Sequence, residues 1–172
     1  SVVVETVAGD FVTLDFSEVG INNQITLKNN IDVLSNQRRG EKSDAYTNSL
    51  MTAYSTGGLD RMNTTVEALI AAEPDEELVE QVIYNTAYRA SNDAELALKQ
   101  GKLEYAEEIL KASDQLLMQE YAGRPSLGYQ GGTMGNKAVA LRNANETIRV
   151  SINSRKAEAE TISGIEASIE SG

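Results

Sequence analysis

Along most of this chain apolar residues recur at intervals of three and four, the period of one face of an α-helix. Leu27, Ile31 and Leu34 make one stripe, and Tyr46, Leu50 and Ala53 make another, within a helical stretch from Ile21 to Tyr54. Gly40 sits between the stripes, where glycine costs roughly 1 kcal/mol relative to alanine in a helix interior, and is the expected place for a bend. Gly57-Gly58 ends the element, since glycine suits the left-handed residue that follows a helix. Leu59, Met62, Val66 and Leu69 then predict a short helix ending near Ala72.

Pro74 opens the next helix, where its missing N–H costs nothing, and Asp75, Glu76 and Glu77 complement the positive end of the helix dipole. Its buried face is Val79, Ile83, Ala87, Ala90, Ala94 and Leu98, and Lys99 and Lys102 flank its end at Gly101. A further helix carries Leu103, Ala106, Leu110, Ser113, Leu117 and Tyr121 on one side, and Gly123 and Pro125 stop it. Residues 123–135 hold five glycines and one proline, the composition of a loop. The last helix runs from about Asn136 to near the end, with Leu141, Ile148, Ile152, Ile162 and Ile169 on its apolar side.

The first twenty residues read two ways. Val2-Val3-Val4 and Phe11-Val12-Thr13-Leu14 have the β-branching of strands, with Gly9-Asp10 as a turn between them. Val7, Phe11 and Leu14 also fall on one face of a helix. Because every later segment is helical, we expect helix from about Phe11 onward.

The predicted fold is all-α: one domain over 1–172, an elongated antiparallel up-and-down helical bundle with long first and last helices. Short connections imply antiparallel neighbours. A core with 7 Tyr, 2 Phe and no Trp agrees with helix-on-helix packing.

Charge narrows the partners. With 15 basic against 26 acidic residues the formal charge is -11, and no basic stripe is present to meet nucleic-acid phosphates or anionic lipid. Nucleic acid is therefore not an expected partner. The chain contains no Cys and no His, which removes thiolate and imidazole metal ligands and the usual general base near neutral pH. No cofactor, no metal and no enzymatic activity are expected. No run reaches the ~20 apolar residues of a membrane span, so any membrane contact is expected only through flanking segments outside this chain.

Three segments invite chemistry and fail on pattern. Ala94 to Ala112 resembles half of a tetratricopeptide repeat but has no second copy, so it reads as a helical hairpin with a tight glycine turn. Glu73, Asp75, Glu76, Glu77 and Glu80 cluster, as do Glu104, Glu107 and Glu108; the first group reads as a helix cap and the second as a solvent face. Gly128 to Gly135 precedes a helix but lacks the phosphate-loop lysine and hydroxyl at their spacing.

The run Gln37-Arg38-Arg39-Gly40-Glu41-Lys42-Ser43-Asp44-Ala45-Tyr46 concentrates positive charge in an acidic chain. An arginine between helices holds a ligand carboxylate in a bidentate grip, so Arg38 and Arg39 are candidate ligand-binding residues. Tyr84, Asn85, Tyr88 and Arg89, of which Tyr88 and Arg89 interrupt an otherwise small-residue helix face, form a second candidate group.

The run RRGEKSDAY followed by SLMTAY, with long outer helices around shorter ones, resembles the helical-bimodular and four-helix-bundle sensor domains of bacterial chemoreceptors and sensor histidine kinases. The resemblance implies a periplasmic or extracellular domain that binds a small molecule, often an organic acid or amino acid, between helices. It also implies a homodimer along the first and last helices, signalling through helix shifts, with Arg38, Arg39 and Tyr46 holding the ligand. The competing expectation is a structural subunit of an extracellular filament, virion or secretion appendage.

Overall fold

The computed structural model describes residues 2–5, 11–14, 21–129 and 134–172. The chain forms two compact units, Ser1–Lys42 and Ser43–Gly172.

In the first unit, β1 (Val2–Glu5) pairs antiparallel with β2 (Phe11–Leu14), Val3 opposite Thr13 and Val4 opposite Val12. The helix expected from Phe11 is thus replaced by a strand. β-branched residues on both sides pack well across a pleated pair, and that pairing outweighs a helical stripe of only three residues. The expected turn at Gly9-Asp10 lies outside the described residues. Helix α1 (Ile21–Ala72) begins in this unit and runs through Gly40 without the expected bend; Gly58 is where its backbone leaves helical φ/ψ. Leu34 is exposed here and Ile31 half-buried; the side chain of Leu27 lies outside the described residues.

The second unit is an all-α bundle. At Gly58 the backbone takes φ 68° and ψ -159°, a region essentially reserved for glycine. There α1 doubles back: the Tyr46 hydroxyl donates to Glu73 Oε2 at 3.1 Å across 27 residues of sequence, a contact a straight helix forbids. The arm after the reversal, residues 59–72, buries Met62, Val66 and Leu69, as its spacing predicts.

Helix α2 (Glu76–Lys99) is capped by Asp75, whose carboxylate accepts from Leu78 N at 3.1 Å. Pro74 therefore stands just before the cap rather than in the first turn. The whole predicted face of α2, from Val79 to Leu98, is buried. Its end closes on Gly101 at φ 75°, where Gly101 N donates to Leu98 O and Lys102 N to Ala97 O, a Schellman turn. Helix α3 (Leu103–Met118) then runs back along α2, and Ser113 Oγ donates to Ala87 O at 2.8 Å. The hairpin read at Ala94–Ala112 is present, with Ala90, Ala94, Ala97 and Ala106 letting the two backbones approach.

Helix α4 (Gly135–Ser171) runs antiparallel to α3: Asn145 meets Ser113 and Asp114, and Lys156 meets Glu107. Leu141 and Ile152 are buried, while Ile162 and Ile169, on the same apolar side of the helix, are exposed. The reason is length. At Arg155, which donates to Leu98 O, α4 has already reached the closed end of the α2–α3 hairpin, and every residue from 157 on is exposed.

Candidate ligand-binding site

Beyond α3 the chain makes a tight turn over Tyr121, Ala122, Gly123 and Arg124. Ala122 and Gly123 have φ 51° and 76°, and Arg124 N donates to Tyr121 O at 2.9 Å. Positive φ at both central residues is the signature of a type I′ turn. The turn is anchored by Tyr121, buried, whose hydroxyl donates to Asn63 Oδ1 at 2.9 Å. Burial, and secondarily the charge of Glu67, push the Tyr121 hydroxyl up to about 12. The turn brings Arg124 back beside the first turn of α2, where Glu76 Oε1 lies 3.4 Å away.

Between this turn, α2, α3, the 3-10 turn Leu127–Tyr129 and the start of α4 lies a cavity of about 160 Å³. Ile83, Leu116, Leu127 and Met134 give it apolar walls, and Glu76, Glu80 and Arg124 give it charge. Glu80 is half-buried and has no hydrogen-bond or ion-pair partner among the described residues. A concave apolar site with a few convergent polar groups is the usual form of a small-molecule site.

The residues singled out in the sequence lie elsewhere. Arg38 and Arg39 belong to the first unit, Arg38 exposed and Arg39 half-buried. Tyr46, Tyr84, Asn85, Tyr88 and Arg89 belong to the second, along the seam between α1 and α2. Asn85 Nδ2 donates to Ser43 Oγ at 3.2 Å and Arg89 Nη1 to Asn48 Oδ1 at 2.6 Å. Tyr84 and Tyr88 stack with ring centroids 6.3 Å apart, and burial followed by the neighbouring Tyr88 pushes the Tyr84 hydroxyl up. Tyr88 also lines an open groove between α2 and α4, whose other walls include Leu98, Ile148 and Arg155. These contacts tie helices together, while the cavity lies along α2 nearer its start.

Sequence reading missed Glu80, Arg124 and Tyr121 as site residues. Glu80 was absorbed into a helix cap, and Tyr121 into a buried helix face. The available signal was Arg124 itself, a lone cation between Gly123 and Pro125 in an acidic chain. Glu73, also read as part of that cap, is buried, and its Oε1 accepts from Asp75 N at 3.2 Å.

Among the described residues no group of His, Cys, Asp or Glu is placed to hold a metal ion, and no helix is long and apolar enough to cross a membrane. No known protein family, curated protein or solved structure matches the chain.

Proposed function

We propose that this chain is a non-enzymatic, extracytoplasmic sensor domain that binds a small organic acid or amino acid and signals through helix shifts. The observation that carries the reading is the cavity beside Arg124, lined by apolar side chains and by the charges of Glu76, Glu80 and Arg124. Helix α2 presents Glu76, Glu80 and Ile83 to that cavity and, further along, Asn85 and Arg89 to α1. Met134 and Gly135, where α4 begins, line it as well. A ligand there touches the start of α4 and is one element, α2, away from α1, and packed helix interfaces respond to small displacements by switching between arrangements. Tyr46 and the seam residues act as the coupling between α2 and α1. The working unit is a homodimer in the periplasm or outside the cell.

A thermal-shift screen against small organic acids and amino acids, beside light scattering for size, tests this. A native-state binder raises stability by mass action, so a stabilised small oligomer is expected. If the double substitution Arg38→Ala/Arg39→Ala leaves the affinity unchanged while Arg124→Ala abolishes it, the site is the cavity and the arginine pair is not part of it.

A second reading, a subunit of an extracellular filament, virion or secretion appendage, is favoured by exposed Ile162, Ile165 and Ile169 on the last turns of α4. Exposed apolar stripes mark association surfaces. Growth into large assemblies without any ligand-induced shift would select it.

A further inference from the structure

Resting on the small-molecule reading above, we propose that the cavity takes a zwitterionic amino acid with an apolar side chain. Its ammonium sits against Glu80 and its carboxylate against Arg124.

The charges at the cavity are unequally satisfied. A half-buried carboxylate beside apolar walls is unfavourable until a cation pairs with it, and Glu80 has no such partner among the described residues. Arg124 has Glu76, but at 3.4 Å and with the Glu76 side chain 80% exposed. That separation exceeds the ~2.7–2.9 Å of a charge-assisted hydrogen bond, and so exposed a partner carboxylate is screened by water and salt. A ligand carboxylate arriving from the cavity side displaces Glu76 into solvent and takes the guanidinium in a bidentate grip.

Spacing agrees. Glu76 and Glu80 are one helical turn apart on α2, with Cβ atoms about 5–6 Å from each other, and Arg124 reaches the Glu76 end. The cationic subsite and the anionic subsite therefore sit side by side, as do the ammonium and carboxylate of an α-amino acid. A bare organic acid would set its carboxylate beside Glu80 with nothing to offset the repulsion. A bare amine would leave Arg124 with its weak partner. The cavity, at about 160 Å³, is close to the ~150 Å³ of an apolar cavity that binds benzene, which limits the side chain to the size of leucine or methionine.

The experiment is calorimetric titration of the whole chain with L-leucine, with isoamylamine (leucine without its carboxylate) and with isocaproate (leucine without its ammonium). Leucine is expected to bind at least about tenfold more tightly than either analogue, the scale of one lost charge-assisted contact. Glu80→Gln and Arg124→Met are each expected to weaken leucine by a similar factor. The analogue comparison uses unaltered protein, so it stands even where a variant folds poorly. Equal binding of isocaproate and leucine overturns the ammonium site at Glu80 and leaves an organic-acid site standing. Equal binding of isoamylamine overturns the carboxylate site at Arg124. Failure of all three to bind overturns the zwitterion assignment, and the organic-acid arm of the thermal screen then decides separately whether the sensor reading survives.

Discussion

Asn145, fully buried on α4, donates from Nδ2 to Ser113 Oγ on α3 at 2.9 Å, and Ser113 donates onward to Ala87 O of α2. One polar chain thus crosses three helices in the interior of the bundle. The same Nδ2 donates to Asp114 Oδ1, which Arg149 joins from the next turn of α4. Among the described residues Asn145 Oδ1, also buried, has no hydrogen-bond partner. We predict that Asn145→Ala costs about 2–3 kcal/mol, from lost hydrogen bonds and an unfilled volume. The double change Asn145→Leu/Ser113→Ala should fall within about 1 kcal/mol of the parent, because both ends of the Asn145–Ser113 bond and the orphan oxygen disappear together while Asp114 keeps Arg149. Urea unfolding of the variants checks this; a neutral Asn145→Ala would show that the network contributes nothing to stability.

Two glycines of α1 should respond with opposite sign. Gly58 holds φ 68° and ψ -159° at the reversal, so Gly58→Ala is expected to destabilise by about 1–3 kcal/mol. Gly40 is helical with open space around it, so Gly40→Ala should stabilise by about 0.5–1 kcal/mol. Thermal melts of the two variants settle the matter, and a shared sign would mean that one backbone conformation is misassigned.

Tyr121 makes alkaline stability depend on one hydroxyl. Its folded value, pushed up to about 12, lies above the ordinary 10.0. The contribution is therefore complete below the unfolded value and is lost as pH rises through the folded one. The melting temperature should fall across that window, and Tyr121→Phe should flatten this part of the fall while losing the bond to Asn63. An ultraviolet pH titration in which every tyrosine ionises at the ordinary value would contradict the burial argument.

Glu107 and Lys156 join α3 to α4 at 2.7 Å. The hydrogen bond from Lys156 holds Glu107 below the usual carboxylate range, and the same bond raises Lys156. Glu107 contributes stability above its unfolded value and loses it as pH falls through the depressed one. Lys156 contributes below its unfolded value and loses it as pH rises through the raised one. The pair is thus fully engaged across the neutral range. In Lys156→Met the carboxyl of Glu107, followed by NMR, should titrate at higher pH than in the parent; an unchanged titration would mean the bridge does not form in solution.

The apolar stripe of α4 divides at the end of the α2–α3 hairpin. Ile152→Ala should cost about 2–5 kcal/mol, as expected for a buried isoleucine. Ile162→Gln or Ile169→Gln should change bundle stability by no more than about 0.5 kcal/mol. The expected readout of those two changes is instead association, with a smaller particle by sedimentation. An Ile169→Gln variant that melts as early as Ile152→Ala would place the last turns of α4 in the folding core.

Much of the bundle was legible in the sequence because helix periodicity and end signals are local. The buried face of α2, the glycine turn at Gly101, the short arm through Met62 and Val66 and the helix break at Gly57-Gly58 all follow from residues near one another. Two readings went the other way. Phe11 to Leu14 favoured a helix by period, and pairing with Val2 to Glu5 made it a strand; Gly40 looked like a bend, and the helix passes through it. Ile162 and Ile169 extend the α4 stripe in sequence, but burial depends on whether a neighbour is long enough to cover them.

By itself, then, the amino-acid sequence determined that the chain is helical through most of its length and where most of those helices stop. Only the tertiary structure decided which charges face a cavity. Arg124 and Glu80 are 44 residues apart in the chain, and no local period relates them. A strained turn after α3 and the closing of α3 onto α2 bring them to the same cavity. Helix formation is governed by neighbours within a turn or two, whereas a binding site is assembled by packing between distant segments.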